Sequence, residues 1–267
     1  MILSVIIPCY NHGQYVQEAI DSVLTYQDQP VEIIIIDDGS TDEFTISKIE
    51  ELKQEGFKVI QHPNAGLAFS RNVGISAAQG KYILPLDADN KIKADYIRKA
   101  LPVLENNEAD IVYSRPIFFG DVTPDRIFSS REFDAVSLLY GNYIDACAIY
   151  RKDVWHKNIG YDEQMPYQGL EDWDFWLNSY FNDFSFRFIE QELYYYRILK
   201  NSMITKIVND NSSEDYIFLK YKNQIIRMLQ KLKSYELFFE NDQKNYLRTS
   251  LKYFIRFFKK NGFRNNS

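Results

Sequence analysis

Cysteine is nearly absent from this chain: Cys9 and Cys147 are the two among 267 residues. Two thiols cannot build a disulfide framework, and their scarcity points to a reducing compartment. Histidine is as sparse, with His12, His62 and His156 scattered, so no Cys/His spacing suits a zinc site. No apolar run approaches the roughly 20 residues that a membrane-spanning helix needs. Met1 leads almost at once into an apolar run, so no secretory leader is expected. The expectation is a cytoplasmic protein. A positive surplus is also lacking: the formal charge is −6, which argues against a general nucleic-acid binder. Glycine-rich phosphate loops are missing too. Pro8-Cys9-Tyr10-Asn11 follows the first strand and is neither glycine-rich nor basic. That argues against a nucleotidyltransferase, and no Gly-x-Gly-x-x-Gly marks a dehydrogenase.

What is abundant is aromatic: 20 Tyr and 19 Phe. Sugar-stacking surfaces would use them, and aromatic cores or partner interfaces explain them equally well. The length suits one large domain, or one domain plus an extension.

The first hundred residues alternate strand and helix signals. Ile2–Ile7, Val31–Ile36, Phe57–Gln61 and Tyr82–Leu86 read as strands; Tyr15–Leu24, Thr45–Lys53 and a segment from Gly66 to about Ala78 read as helices. Such alternation predicts βαβ units and a mostly parallel sheet. Beyond it, Tyr96–Leu104 reads as a helix kinked at Pro102, and Ala109–Tyr113 as a strand. Pro116–Asp134 reads as a hairpin and loop, and Ala135–Tyr140 and Glu171–Phe181 as helices. Phe186–Ile189 and Leu193–Tyr196 read as two strands, and the chain from about Ser213 is helical.

Ligands of parallel α/β sheets bind at the carboxyl ends of the strands. Pro8–Asn11, Asp37–Asp42 and Asp87–Asn90 all fall at such ends. Asp87-Ala88-Asp89 follows a buried-strand run, where paired carboxylates suit a divalent cation and the ribose or diphosphate of a nucleotide. In Asp37-Asp38-Gly39-Ser40-Thr41-Asp42 a carboxylate can accept a uracil imide N–H or a ribose hydroxyl, while helix capping is the plainer use. Asn64-Ala65-Gly66-Leu67 is a glycine loop entering a helix, open to approach by a nucleotide, and Arg71 one turn on can face the base or diphosphate. Glu171-Asp172-Trp173-Asp174 opens a helix whose dipole would keep Asp172 ionised, as a general base requires. Glu171 and Trp173 are candidates for the acceptor site.

Together, Ser4–Asn11, Asp37–Asp42, Asn64–Asp89 and Glu171–Asp174 resemble the family 2 glycosyltransferases of the GT-A fold over roughly residues 1–205. The resemblance implies an α/β fold, a Rossmann-like, mixed and mostly parallel sheet flanked by helices. Residues 1–205 would be the catalytic domain, with a nucleotide half (1–100) and an acceptor half (101–205). Residues 206–267 would form a helical C-terminal extension. The implied activity is an inverting hexosyltransferase of polysaccharide or glycoconjugate biosynthesis, using a UDP-sugar and Mn²⁺ or Mg²⁺. In that scheme Pro8, Tyr10, Asn11, Asp38, Gly66, Arg71, Asp87 and Ala88 bind the nucleotide sugar, with Asp38 at the uracil edge and Asp87 at the ribose. Asp89 holds the metal and Asp172 is the base. One departure stands out: Leu199, in Tyr196-Arg197-Ile198-Leu199-Lys200, occupies the place where many relatives carry a metal- or diphosphate-binding His. Arg197 or Lys200 would be left to meet the diphosphate.

Lys244, Arg248, Lys252, Arg256 and Lys260 recur every four residues among aromatics near the end of the chain. Such a helix can lie on an anionic membrane, or pack on the catalytic domain or a second copy with its basic face in water. The acceptor is accordingly open between a glycan, a glycoprotein and a lipid-linked sugar. From a different class, a catalytically silent member would serve as a binding or scaffold subunit of a glycosylation complex.

Overall fold

The computed structural model describes residues 2–124, 127–166, 169–200, 212–231 and 233. The front half alternates β1 (Leu3–Cys9), α1 (Gly13–Leu24), β2 (Val31–Asp37), α2 (Glu43–Gln54), β3 (Lys58–Gln61), α3 (Leu67–Ala77) and β4 (Tyr82–Pro85). β5 (Lys91–Ile92), α4 (Ala94–Glu105), β6 (Ile111–Gly120), α5 (Ala135–Tyr140) and β7 (Ile149–Arg151) follow. The remaining elements are α6 (Lys152–Asn158), α7 (Glu171–Phe181), β8 (Phe186–Ile198) and α8 (Ser212–Lys220). Residues 222–231 are also helical. Two compact units, Met1–Tyr216 and Ile217–Ser267, divide the chain. The basic repeat from Lys244 to Lys260 lies outside the described residues.

Among the described residues the strands form one sheet in the order β3-β2-β1-β4-β7-β6-β8-β5. β1/β2, β1/β4, β2/β3 and β6/β8 pair in parallel. β4/β7, β5/β8 and β6/β7 pair antiparallel, so the sheet is mixed and mostly parallel, as expected. Every residue of β1 is buried, because helices cover both faces of a central parallel strand and its sequence must be apolar throughout. Leu3, Val5 and Ile7 point into a core shared with Val16 and Ile20 of α1 and Ile97 and Leu101 of α4. Ile6, from the opposite face, meets α3. A methyl group at Gly74 would collide with Ile6 Cγ2 and come within 3.2 Å of Ile36; the missing side chain is what lets α3 lie this close.

Two expectations need correction. β6 continues through Pro116 to Gly120 where a hairpin was expected. The two runs expected as separate strands are one strand, β8, whose register against β6 breaks at Ser114/Arg115 and Arg115/Pro116. Pro116 has no N–H for the ladder, and a bulge is where a strand accommodates that loss. Pro102 lies inside a helix, as expected, and that helix, α4, runs from Ala94 to Glu105.

Strand direction determines what meets at the site. β1, β2 and β4 end at the same sheet edge, with Cys9 opposite Asp37 and the Leu86 N–H on Ile6 O at 2.9 Å. β7 runs against β4, so it is the chain entering β7 that reaches this edge. β6 runs against β7 and β8 runs with β6, which brings the end of β8 there as well.

Candidate active site

These converging ends enclose a cavity of about 730 Å³. Pro8 and Tyr10 leave β1, Asp38 follows β2, and Gly66 and Arg71 belong to the start of α3. Asp87, Ala88 and Asp89 follow β4, while Glu171 and Asp172 open α7. Thus the structure brings together most of the residues singled out from sequence. Tyr10 is 45% exposed on this wall, leaving its ring free for a planar ligand.

Two expected site residues do not line the cavity. Asn11, at φ 53°, accepts the Thr41 N–H at 2.8 Å and the Asp42 N–H at 3.1 Å through Oδ1. It ties the exit of β1 to the loop before α2. Trp173 is buried, and its indole N–H donates to Leu138 O at 2.6 Å, which anchors α7 to α5.

Asp38 is already engaged within the protein. Its carboxylate accepts the Ala65 N–H at 2.7 Å and the Gly66 N–H at 3.0 Å, holding the loop that enters α3. Gly66 sits at φ 93°, a conformation that glycine alone adopts freely. Arg71 is also turned inward, at 1% exposure. It pairs with Asp87 Oδ1 at 2.8 Å and with Glu171 Oε1 from a hundred residues further along. Burial opposes its charge, and Asp87 and Glu171 more than offset that, holding the guanidinium firmly protonated. Glu171, expected at the acceptor, is buried and completes this bridge while accepting the Gly169 N–H at 2.6 Å.

The Asp87–Asn90 turn is closed by the Asn90 N–H on Asp87 O at 2.9 Å. Arg197 braces it from behind: Nε donates to Asp89 O at 2.9 Å, and its backbone N–H to Asn90 Oδ1 at 2.8 Å. Its guanidinium also pairs with Glu18 at 3.0 Å and lies over the Tyr15 and Phe119 rings. Leu199 lines the cavity.

Asp172 accepts its neighbour Trp173's N–H at 2.8 Å and the Asn142 side-chain amide at 2.9 Å. Burial, then the like charges of Glu171 and Asp145, push its pKa well above the usual carboxylate range. That reverses the expectation drawn from the helix dipole, because desolvation outweighs a partial charge at a helix end. Asp89 and Asp145 are likewise pushed up to about 7, by burial first and by Asp87 second. Unneutralised carboxylates facing one cavity are the donor chemistry that a hard cation satisfies. Among the described residues no three His, Cys, Asp or Glu side chains form a metal cluster. Asp89, facing the cavity, suits an ion of the Mg²⁺ kind, which takes one or two carboxylates and completes its shell with substrate phosphates.

The model of glycosyl transferase family 2 matches residues 4–161. The chain belongs to this family. A Haemophilus influenzae protein described as a glycosyltransferase is 31% identical over 195 residues, covering 66% of this chain and 59% of that relative. This chain therefore spans less than two thirds of that relative's length. S. aureus TarS, solved with UDP-GlcNAc, superposes with a TM-score of 0.62 at 24% identity over 84% of this chain and 72% of that one. A Pyrobaculum calidifontis mannosyltransferase, solved with GDP-Man and Mn²⁺, gives 0.60 at 16% identity over 83% and 64%. At such identities the likeness carries the GT-A fold, and the two neighbours hold different nucleotides, so the fold alone selects neither base nor sugar.

Sequence reasoning missed several residues of this family 2 cavity: His12, Asn142, Asp145 and Glu214 all line it. The signal for Asp145 was the apolar run that follows it, Ala146–Tyr150. In an antiparallel strand the residues before the run, not after it, face the carboxyl edge.

Proposed function

We propose that this family 2 member transfers a sugar, with inversion, from a nucleotide-diphosphate sugar, taken to be UDP-linked, to a hydroxyl of a glycan, glycoprotein or lipid-linked acceptor. Residues 1–100 supply the nucleotide half, 101–205 the acceptor half, and 206–267 an added extension. The supporting observation is one cavity holding Asp89 at one strand end and a half-buried, hydrogen-bonded Asp172 at the start of α7. Pro8 and Tyr10 flank the nucleotide, and Asp87 accepts from the ribose. Asp89 would hold Mn²⁺ or Mg²⁺, which when bound neutralises charge on the diphosphate.

In the transfer, Asp172 takes the proton of the acceptor hydroxyl as its oxygen attacks the anomeric carbon. The bond to the diphosphate breaks with its electron pair leaving on the diphosphate, and a single displacement inverts the configuration. Asn142 and the Trp173 N–H aim the base. Arg71 holds Asp87 and Glu171 in fixed relation, linking the nucleotide end to the start of α7. Asp172's raised pKa makes it a stronger base once ionised. No described helix is long and apolar enough to cross a membrane.

A second reading, a catalytically silent binding subunit, is favoured by Leu199 standing in the cavity wall. Thermal shift with UDP-, GDP-, CDP- and dTDP-sugars, with and without Mn²⁺, tests the main one, because a ligand bound only by the folded state raises its melting temperature. A metal-dependent shift with one nucleotide class, lost in Asp89→Ala, is expected. No shift with any nucleotide sinks the independent-enzyme reading.

A further inference from the structure

Most acids around the cavity already have a partner or a role. Asp38 takes loop amides, Asp87 and Glu171 share Arg71, Asp172 is held by Asn142, and Asp89 is the proposed cation ligand. Asp145, half-buried in the cavity wall, is an acid that the mechanism leaves unused. One of its oxygens accepts the Cys147 N–H at 2.9 Å, and no Lys, Arg or His pairs with it among the described residues.

The segment carrying it is clamped on every side. Asn142 Oδ1 accepts the Ile144 N–H at 3.1 Å, and the Trp176 indole N–H donates to Ile144 O at 2.8 Å. Tyr96 OH donates to Cys147 O at 2.7 Å, and the Ala148 N–H to Ala146 O at 2.7 Å. A carboxylate fixed this firmly is preorganised to meet a ligand. Asp145 lines the cavity that runs from Asp89, at the diphosphate end, to Asp172, the base, which is held by Asn142, three residues before Asp145. A donor sugar must bridge the same interval, with its phosphate near Asp89 and its anomeric carbon within reach of the oxygen that Asp172 activates. The hydroxyls of that ring need acceptors, and Asp145 supplies one from a rigid wall.

Resting on the reading of this cavity as a nucleotide-sugar site, we propose that Asp145 accepts a hydrogen bond from a hydroxyl of the donor sugar and thereby selects the sugar. It is a specificity residue of the donor subsite, contributed by the chain that enters β7.

Calorimetric titration of wild type and Asp145→Asn, with Mn²⁺ present, tests it. The probes are UDP, UDP-glucose, UDP-galactose, UDP-N-acetylglucosamine and UDP-N-acetylgalactosamine. Asn keeps an acceptor for the Cys147 N–H, and Asp145→Ser serves should the first variant fail to fold. Expected is a wild type that prefers one sugar, and a variant whose Kd for UDP changes less than twofold while that preference falls about tenfold or more, the loss of one charge-assisted hydrogen bond. A variant that keeps the preference overturns the proposal, as does a wild type that binds all four sugars alike. Equal loss of UDP and Mn²⁺ affinity would also overturn it and assign Asp145 to the metal end. A wild type that binds no nucleotide refutes the underlying reading itself, an outcome distinct from the others.

Discussion

Replacing Asp145 with Asn should make the ligand-free protein more stable. In the fold the Asp145 carboxyl rises from an ordinary 3.8 to about 7, through burial first and Asp87 second. A raised carboxyl pKa means that the folded state binds the proton more tightly than the unfolded chain does. The stability it supports is complete below the unfolded value and is lost as pH rises through about 7. At about 1.4 kcal/mol per pH unit, that displacement corresponds to an upper bound of about 4 kcal/mol. The side chain is partly open to the cavity, so we halve it, to about 2 kcal/mol at pH 8 and less than half of that at pH 5. Asn has the same shape, carries no charge and can still accept the Cys147 N–H. For a chain of this size each kcal/mol moves Tm by about 2–4 °C. Asp145→Asn should therefore raise Tm by about 4–8 °C at pH 8, and by clearly less at pH 5. Calorimetric melting of both proteins without metal or nucleotide checks this. A variant that melts lower at pH 8, or whose gain is the same at both pH values, refutes the reasoning.

Arg71→Met should lower stability by about 3–5 kcal/mol, because it strands buried Glu171 without its cation; denaturant titration reads this, and Glu171→Gln should cost less. Gly74→Ala should destabilise by about 1–3 kcal/mol through its collision with Ile6 and Ile36, while nucleotide affinity stays unchanged in a titration at low temperature. Asp172→Asn should cut transfer about 10²–10⁴-fold and leave nucleotide affinity intact. Wild-type turnover should rise with pH, since burial and neighbouring acids raise the pKa of Asp172. Mn²⁺ affinity without nucleotide should strengthen as pH passes about 7, where Asp89 loses its proton.

The front half of the fold was legible because β1, β2 and β4 are nearly continuous buried runs and each helix presents one apolar face. Asp38, Asp87 and Asp89 followed from the rule that parallel strands end at the site. The same rule hid Asp145, because β7 is three residues long and runs the other way. Asn142 was hidden for the same reason, and its bond to Asp172 joins residues thirty apart. Pro116 looked like a strand breaker, and only pairing with β8 reveals the bulge that accommodates it. Nothing local announces Glu171, a hundred residues further on, as the partner of Arg71. The ionisation of Asp172 was misjudged on the helix dipole, a local effect; desolvation depends on everything packed around it.

The most direct test needs no acceptor. Proton NMR can follow sugar released from the α-linked UDP-sugar that binds, with Mn²⁺ present, as water replaces the acceptor hydroxyl. An inverting enzyme with Asp172 as its base should release the β-anomer first, before mutarotation mixes the forms, and Asp172→Asn should release almost none. Early appearance of the α-anomer, or undiminished release by Asp172→Asn, would contradict the account.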